Sequence, residues 1–175
     1  AALAADGVLA VVPEMPYLTD SRKNARALVE LIGQLRAGAL GPAIERVVLV
    51  GFSGGGLSTL LAADTPGVVG YVGLDPFDRP GGVGLDAARR LSIPARLLRG
   101  PPSFCNAYGI SEPWTGALTG LVEERVIEQA THCDFESPTD RMCEIFCGKA
   151  EPPRQQIVRQ TLRQAVREWL LQPGR

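Results

Sequence analysis

The chain has 175 residues and has little of several residue types, and each shortage excludes a class of protein. Lysine and arginine number 18 against 19 aspartates and glutamates, so the formal net charge of −1 offers no broad positive surface to nucleic acid. Aromatic residues are only 6% of the chain and do not alternate with runs of arginine. No run approaches the roughly 20 apolar residues that span a bilayer, so no transmembrane segment is expected.

Only one histidine, His132, is present, so any imidazole chemistry depends on that residue. The amino terminus, Ala-Ala-Leu-Ala-Ala-Asp-Gly, lacks the basic start and the cleavage pattern of an export signal. This segment therefore does not indicate a compartment, and an export signal already removed is compatible with it.

The composition that remains is typical of one α/β domain over residues 1–175, because 45% of the residues are hydrophobic. Strands alternating with helices predict a doubly wound, mainly parallel sheet with helices on both faces. The sequence contains no internal repeat and no low-complexity tract.

The most informative segment is Gly51-Phe52-Ser53-Gly54-Gly55, which lies between an apolar strand and an apolar helix. This is the context of a nucleophile elbow, in which a serine on a sharp turn is exposed at the carboxyl edge of a sheet. Glycines two residues before and two after the serine are expected to make room for the turn. The amide of Gly54 is the candidate oxyanion donor.

Three other interpretations of this segment are weaker. A glycine-rich turn without chemistry has the same letters but does not need the flanking strand and helix. A phosphate-binding loop requires a lysine where Leu57 stands, although Gly51, Gly56 and Ser58 fit its spacing. A dinucleotide-binding loop requires glycine where Ser53 stands.

Hydrophobic periodicity and turn residues predict the other elements. The predicted strands are Val8–Val12, Val47–Val50 (buried on both faces), Val68–Leu74, Ile93–Leu98 and a last strand from about Glu124. Five helices are predicted. The first is capped by Asp20 or Ser21 and ends by Gly38, the second covers Gly54–Asp64 and the third Leu85–Leu91. The fourth starts at Ser137-Pro138 and ends before Gly148, and the fifth runs from about Pro153 to Leu171. The segment from Gly100 to Pro113, with three prolines and two glycines, is predicted to be an ordered loop that lines the site or packs its aromatics internally.

A serine hydroxyl needs a base to take its proton and a carboxylate to orient that base. His132 is the candidate base, because it follows the last predicted strand. Asp75 is the first candidate acid, since it ends the strand after the elbow helix, with a turn-forming Asp before Pro76 as the alternative. Asp78 is the second candidate, and Glu136 is expected only to brace the loop.

Four cysteines, all in the second half of the chain, are Cys105, Cys133, Cys143 and Cys147. Their spacing lacks Cys-x-x-Cys, so a metal site is a weaker interpretation than disulfides, and buried free thiols are the remaining alternative. We expect disulfides that pin the His132 loop and the 103–106 loop, with Cys143 and Cys147 bonding outward rather than to each other. Disulfides would imply a secreted or periplasmic protein, and free thiols a cytoplasmic one.

Three runs resemble the α/β-hydrolase superfamily: Val50-Gly51-Phe52-Ser53-Gly54-Gly55-Gly56, Gly73-Leu74-Asp75-Pro76-Phe77-Asp78 and Thr131-His132-Cys133-Asp134-Phe135-Glu136. Within it, an acid on the strand after the elbow helix resembles the chlorophyllase and platelet-activating-factor acetylhydrolase branch, with dienelactone hydrolases more distant. The resemblance covers the chain to about Gly148. It implies an ester hydrolase that uses Ser53, Asp75 and His132.

Members of that superfamily normally have several strands before Val8, and one of the loops there supplies a second oxyanion amide. The expected activity is two-step acyl transfer on a small-molecule or lipid-like ester, polyesters included, without a metal or organic cofactor. A noncatalytic module that binds a hydrophobic ligand or a partner chain is the alternative, and a peptidase or thioesterase would share the same triad. The sequence leaves the oligomeric state open.

Overall fold

Four apolar segments form parallel strands in the computed structural model, which describes residues 2–171. The strands are β1 (Val47–Phe52), β2 (Val68–Leu74), β3 (Ala95–Arg99) and β4 (Leu121–Val126). They lie in the sheet in chain order, β1-β2-β3-β4, and every neighbouring pair is parallel. Parallel pairing brings the carboxyl ends of all four strands to one edge of the sheet.

Helices cover both faces of this sheet. They are α1 (Ala2–Ala5), α2 (Ser21–Arg36), α3 (Gly54–Ala62), α4 (Val83–Arg90), α5 (Trp114–Ala117), α6 (Arg141–Cys147) and α7 (Pro152–Leu171). Short 3₁₀ turns cover Phe104–Asn106 and His132–Phe135. No helix within residues 2–171 combines the length and hydropathy needed to cross a bilayer.

The core has one layer on each side of the sheet. Apolar residues of α2, α3 and α4 pack with Tyr71 and Leu97 on one face. On the other face, α7 packs Val158, Ala165 and Trp169 against strands β2 and β3. The doubly wound parallel architecture predicted from the sequence is therefore confirmed.

Helix α2 begins where its capping residue predicts. The Asp20 carboxylate accepts a hydrogen bond of 3.0 Å from the Lys23 amide, and this bond lowers the pKa of Asp20 below its ordinary value. The helix ends before Gly38, whose φ of 72° is the left-handed conformation that glycine tolerates.

The predicted strand Val8–Val12 is wrong, because this segment is irregular in the structure. It has no strand partner among residues 2–171, and Val12 is 93% exposed. Strand β1 is also less buried than predicted, since it is an edge strand in which only Leu49 and Gly51 are fully buried. Apolar composition predicts a strand but supplies no neighbour for it to pair with.

Two boundaries in the second half differ from prediction. Strand β4 begins at Leu121 rather than near Glu124 and ends at Val126, so five residues separate it from His132. Helix α6 begins at Arg141, because the Asp140 side chain, rather than Ser137, caps it by accepting from the Met142 amide at 2.6 Å. The apolar residues of α6 are mostly exposed, which the amphipathic pattern does not predict.

Candidate active site

Ser53 lies on the turn between β1 and α3, as the elbow pattern predicts. Its φ of 51° and ψ of −126° lie outside the ordinary regions for a residue with a side chain. Three backbone hydrogen bonds hold it there: the Ser53 N–H donates to the Leu74 carbonyl at 3.1 Å, and the Ser53 carbonyl accepts from the amides of Gly56 at 2.9 Å and Phe77 at 3.0 Å. The serine is therefore tied to the carboxyl end of β2, where Asp75 follows.

Of the two glycines that the pattern predicts to make room for the turn, only Gly51 has that role. A Cβ at Gly51 would overlap Thr59 Oγ1 and the Gly55 carbonyl, and one at Gly56 would lie 2.7 Å from Pro76 Cβ. A Cβ at Gly55 would meet nothing within 4 Å. The close approach of helix and strand therefore requires Gly51 and Gly56, while Gly55 is not sterically required.

The amino end of α3 presents free amides beside Ser53. Gly54 is the first residue of the helix and is exposed, so its N–H has no partner within the helix. Behind this turn, the buried Tyr71 hydroxyl donates to the Gly56 carbonyl at 3.0 Å. Burial raises the pKa of Tyr71, which keeps the phenol neutral as a donor.

Asp75 is 1% exposed and begins the loop after β2 with a φ of 40°. Its Oδ1 accepts the Gly100 amide at 3.0 Å, and Asn106 Nδ2 lies 3.3 Å from Oδ1 and 3.4 Å from Oδ2. Oδ2 lies 2.6 Å from His132 Nδ1. A carboxylate at this position has its hydrogen-bonding capacity filled by protein groups rather than by water.

His132 is 8% exposed and begins a 3₁₀ turn after β4. Because a carboxylate only accepts hydrogen bonds, the 2.6 Å contact assigns the proton to Nδ1 and leaves Nε2 free to accept another. The imidazole also packs on Phe52, the residue before Ser53, with ring centroids 4.6 Å apart.

The structure therefore brings Asp75 and His132 into direct contact. Ser53 follows Phe52, whose ring packs on the imidazole, and its amide donates to Leu74, the residue before Asp75. Between Ser53 and His132 themselves, both within the described residues, there is no hydrogen bond. A catalytic serine–imidazole bond is often long in the absence of substrate.

The other carboxylates near the site have structural roles. Asp78 is buried and accepts the amides of Gly84 and Leu85 and the indole N–H of Trp114 at 2.9–3.1 Å, which fixes the start of α4. Its partners do not include His132. Asp78 therefore does not occupy the position of the orienting acid.

Asp134 and Glu136 brace the loop that carries His132. The Asp134 carboxylate accepts the Thr131 amide at 2.8 Å and the Glu151 amide at 2.6 Å, and it pairs with Arg154 at 2.7 Å. The Glu136 carboxylate accepts the Asp140 amide at 3.0 Å. These bonds fix the 131–140 segment on the amino end of α7.

Two disulfides flank the base, and their pairing agrees with the outward bonding predicted for Cys143 and Cys147. They join Cys105 to Cys147 and Cys133 to Cys143, and the described residues contain no free cysteine. The sulfurs of Cys133, Cys143 and Cys147 all lie within 4.8 Å of one another, because the bridges are adjacent. The two bridges therefore link α6 covalently to the 103–106 loop and to the loop that carries His132.

The aromatic residues of the 100–114 loop divide into two groups. Trp114, the first residue of α5, is fully buried against Gly84 of α4 and contributes to the core. Phe104 and Tyr108 are 78% and 73% exposed beside the Cys105 bridge. Only the latter two are therefore available to a ligand.

Sequence reasoning missed Asn106 and Gly100, the two residues that hold Asp75. Gly100 follows β3 directly, so a backbone amide at that strand end was open to inference from parallel pairing. The only sequence feature that points to Asn106 is its position next to Cys105 in a proline-rich loop.

Three comparisons with known proteins bear on this geometry. No protein-family model matches the sequence, and no curated protein matches it. Among solved structures, it is similar to a dienelactone hydrolase from Anabaena variabilis, with a TM-score of 0.65 and 19% identity over 86% of this chain and 62% of that chain. A lipase-esterase related protein from Clostridium acetobutylicum matches with a TM-score of 0.57 and 12% identity, over 86% of this chain and 78% of that chain. An esterase from Pyrococcus furiosus matches with a TM-score of 0.56 and 13% identity, over 88% of this chain and 65% of that chain.

These similarities show that the chain has the α/β-hydrolase fold, and they include a dienelactone hydrolase, as the sequence motifs predict. The chain spans 62% of the length of that dienelactone hydrolase. At identities of 12–19%, these similarities show the fold alone. The function has to be inferred from the residues of the site.

Proposed function

We propose that the chain is a serine hydrolase of carboxylic esters, with Ser53 as nucleophile, His132 as general base and Asp75 as orienting acid. The observation that carries this proposal is the 2.6 Å contact between His132 Nδ1 and Asp75 Oδ2, at the sheet edge where Ser53 has an elbow conformation. The fold shared with esterases and dienelactone hydrolases supports the same reaction class.

In the first half-reaction, Ser53 Oγ forms a bond to the ester carbonyl carbon while its proton passes to His132 Nε2. Asp75 stabilises the resulting imidazolium, and the Gly54 amide donates to the oxyanion. The carbon–oxygen bond to the alcohol then breaks, and the Nε2 proton leaves with the alcohol. The product of this step is an acyl ester of Ser53.

In the second half-reaction, His132 takes a proton from water, and the hydroxyl attacks the acyl carbon. The bond to Ser53 Oγ breaks, the proton returns to Ser53, and the carboxylic acid leaves. Neither half-reaction requires a metal or an organic cofactor.

The substrate class of this proposal is a small-molecule or lipid-like ester, polyesters included. Exposed Phe104 and Tyr108 offer apolar surface to the acyl or alcohol group. Two disulfides favour an oxidising compartment, so the protein is proposed to be secreted or periplasmic.

The test measures hydrolysis of p-nitrophenyl acetate and butyrate, together with covalent labelling by a fluorophosphonate. Ser53→Ala is expected to abolish both signals. Ser92→Ala is the matched control, since Ser92 is exposed in the loop before β3, at the opposite edge of the sheet, and is expected to keep both. Absence of labelling and of Ser53-dependent turnover in folded protein would contradict the proposal.

A noncatalytic binding module is the second candidate, and one observation favours it. A cavity of about 420 Å³ runs along the outer edge of β1, lined almost entirely by apolar residues of the 8–15 segment, β1, α2 and α7. A hydrophobic ligand or an apolar partner segment would fit this lining. Binding of a fluorescent fatty acid that is unchanged in Ser53→Ala, without turnover in either protein, would favour this candidate.

A further inference from the structure

Asn106 joins the candidate acid to the loop after β3. Its side chain is 3% exposed and uses both ends of the amide. Oδ1 accepts the Ser103 amide at 2.8 Å and the Gly109 amide at 3.1 Å. Nδ2 donates to Pro101 at 3.0 Å and lies 3.3 Å and 3.4 Å from the two oxygens of Asp75.

We infer that Asn106 is a positioning residue, which fixes the plane of the Asp75 carboxylate so that Oδ2 meets His132. The inference deepens the proposed function and rests on it for the catalytic consequence. The Gly100 amide contacts only Oδ1 of Asp75, and His132 contacts only Oδ2. Asn106 contacts both oxygens from one nitrogen and so opposes rotation about the Cβ–Cγ bond.

Burial makes this role necessary. Asp75 is 1% exposed, so no shell of water can take the place of a missing donor. Without Asn106, Oδ1 would keep only the Gly100 amide and Oδ2 only His132, so no single donor would hold both oxygens and the carboxylate would turn away from the imidazole more readily. His132 would then lose the partner that sets its tautomer.

The loop around Asn106 is built to hold this side chain in place. The next three residues, Ala107, Tyr108 and Gly109, have φ values of 47°, 56° and 81°. Successive left-handed residues are rare and are found where the surrounding contacts enforce them. Cys105, the residue before Asn106, is bonded to Cys147 of α6. The amide is therefore fixed from both sides along the chain.

The test replaces Asn106 with Ala and compares it with Asn24→Ala. Asn24 is a matched control, because it is also buried, at 5% exposed, and also uses both ends of its amide, on the backbone of Tyr17 rather than on Ser53, Asp75 or His132. We expect kcat on p-nitrophenyl butyrate to fall in Asn106→Ala by up to about 100-fold with KM held, since a shift of about 1 Å costs that much. Asn24→Ala is expected to keep kcat.

A double-mutant cycle separates positioning from loop structure. If Asn106 acts through Asp75, Asn106→Ala added to Asp75→Asn lowers kcat no further. A merely structural role would lower kcat by the same factor in both backgrounds. If Asn106→Ala does not fold, Asn106→Asp keeps an oxygen for the Ser103 and Gly109 amides while replacing the donor to Asp75 with an acceptor. It is expected to lower kcat at least as far.

A spectroscopic readout distinguishes this inference from the proposed function. The far-downfield proton resonance of the His132 Nδ1–H···Asp75 bond is expected to shift or broaden in Asn106→Ala and to be unchanged in Asn24→Ala. If the natural chain has no esterase activity but the resonance responds in this way, the proposed function fails and the positioning role stands. Folded Asn106 variants with the natural resonance and the natural kcat would overturn the inference.

Discussion

The surroundings of Asp75 and the outer edge of β1 are built in opposite ways, although Ser53 joins them. Around Asp75, every carboxylate oxygen is paired with a protein donor, and two disulfides flank the loops that supply the donors. Along the outer edge of β1, no strand pairs within residues 2–171, and the neighbouring Leu9 and Val12 are 67% and 93% exposed. The proposed nucleophile thus follows an edge strand of the described sheet, whereas the proposed acid follows a strand that is paired on both sides.

This difference indicates which parts of the fold tolerate substitution and which do not. Buried polar groups must be satisfied by protein donors, so the Asp75 region tolerates little change. An unpaired strand edge tolerates substitution better, but its free backbone groups allow another strand to pair with it. Substitutions in the two regions should therefore affect different quantities: catalysis around Asp75, and stability or association along β1.

The largest expected effect comes from breaking the Asp75 region directly. Asp75→Asn is expected to lower kcat by about 10,000-fold, because an amide favours the wrong imidazole tautomer. Asp78→Asn is the matched control, three residues away and equally buried, and should lower the melting temperature while kcat is retained. Comparable kcat losses in the two variants would contradict the assignment of Asp75.

Removing each disulfide in turn tests how firmly the loops are held. Chain entropy predicts a loss of about 4 kcal/mol for Cys105→Ala with Cys147→Ala and about 3 kcal/mol for Cys133→Ala with Cys143→Ala. The order follows from the sequence separations of 42 and 10 residues. Urea unfolding without reductant measures both values. The reverse order would show that native contacts, rather than loop closure, dominate.

Alanine substitutions at two glycines of the elbow are expected to change stability in opposite directions at the end of β1. Gly51→Ala is expected to destabilise the fold by about 3 kcal/mol, because the added Cβ meets Thr59 and the Gly55 carbonyl. Gly55→Ala places its Cβ in open space within α3 and should gain up to about 1 kcal/mol from helix propensity. Urea denaturation of both variants checks the contrast. Equal losses would mean that the turn requires both glycines.

The smallest expected effect concerns the amino-terminal segment beside β1. Two hydrogen bonds of 2.9 Å and 3.0 Å from Arg163 hold the pKa of Asp6 below its ordinary value. Because the folded-state pKa is depressed, the stabilisation is present above the unfolded-state pKa and is lost as the pH falls through the folded-state value. At neutral pH, the melting temperature of Asp6→Asn should be slightly lower than that of the natural chain. At a pH well below the unfolded-state aspartate pKa of about 3.9, the two melting temperatures should be equal. A difference that persists in acid would assign the effect to another interaction.

The sequence predicts the sheet and its motif well because those signals are local. The strand β2 and the cap at Asp20 follow from apolar runs and one side chain, and the elbow follows from five adjacent residues. The proximity of Asp75 and His132, 57 residues apart, was open to inference because parallel strands end at one edge.

What the sequence does not predict depends on distant partners. Val8–Val12 has strand composition but no neighbour to pair with among the described residues, and Gly55 matches the elbow pattern without a steric need. Asn106 is distinguished only by contacts with residues up to 31 positions away. The start of α6 differs from prediction because Ser137 and Asp140 both have side chains that can cap a helix, and the Asp140 side chain is the one that accepts the Met142 amide.

The agreement between strand order and chain order has a consequence for assembly of the molecule. Each new strand joins the sheet beside the strand made just before it, so the sheet grows in one direction, away from β1. The serine is in place once β2 has joined, the amide of Gly100 arrives with β3, and the imidazole follows β4. During synthesis Ser53 would therefore be made well before His132, and the proposed triad would be complete only after β4.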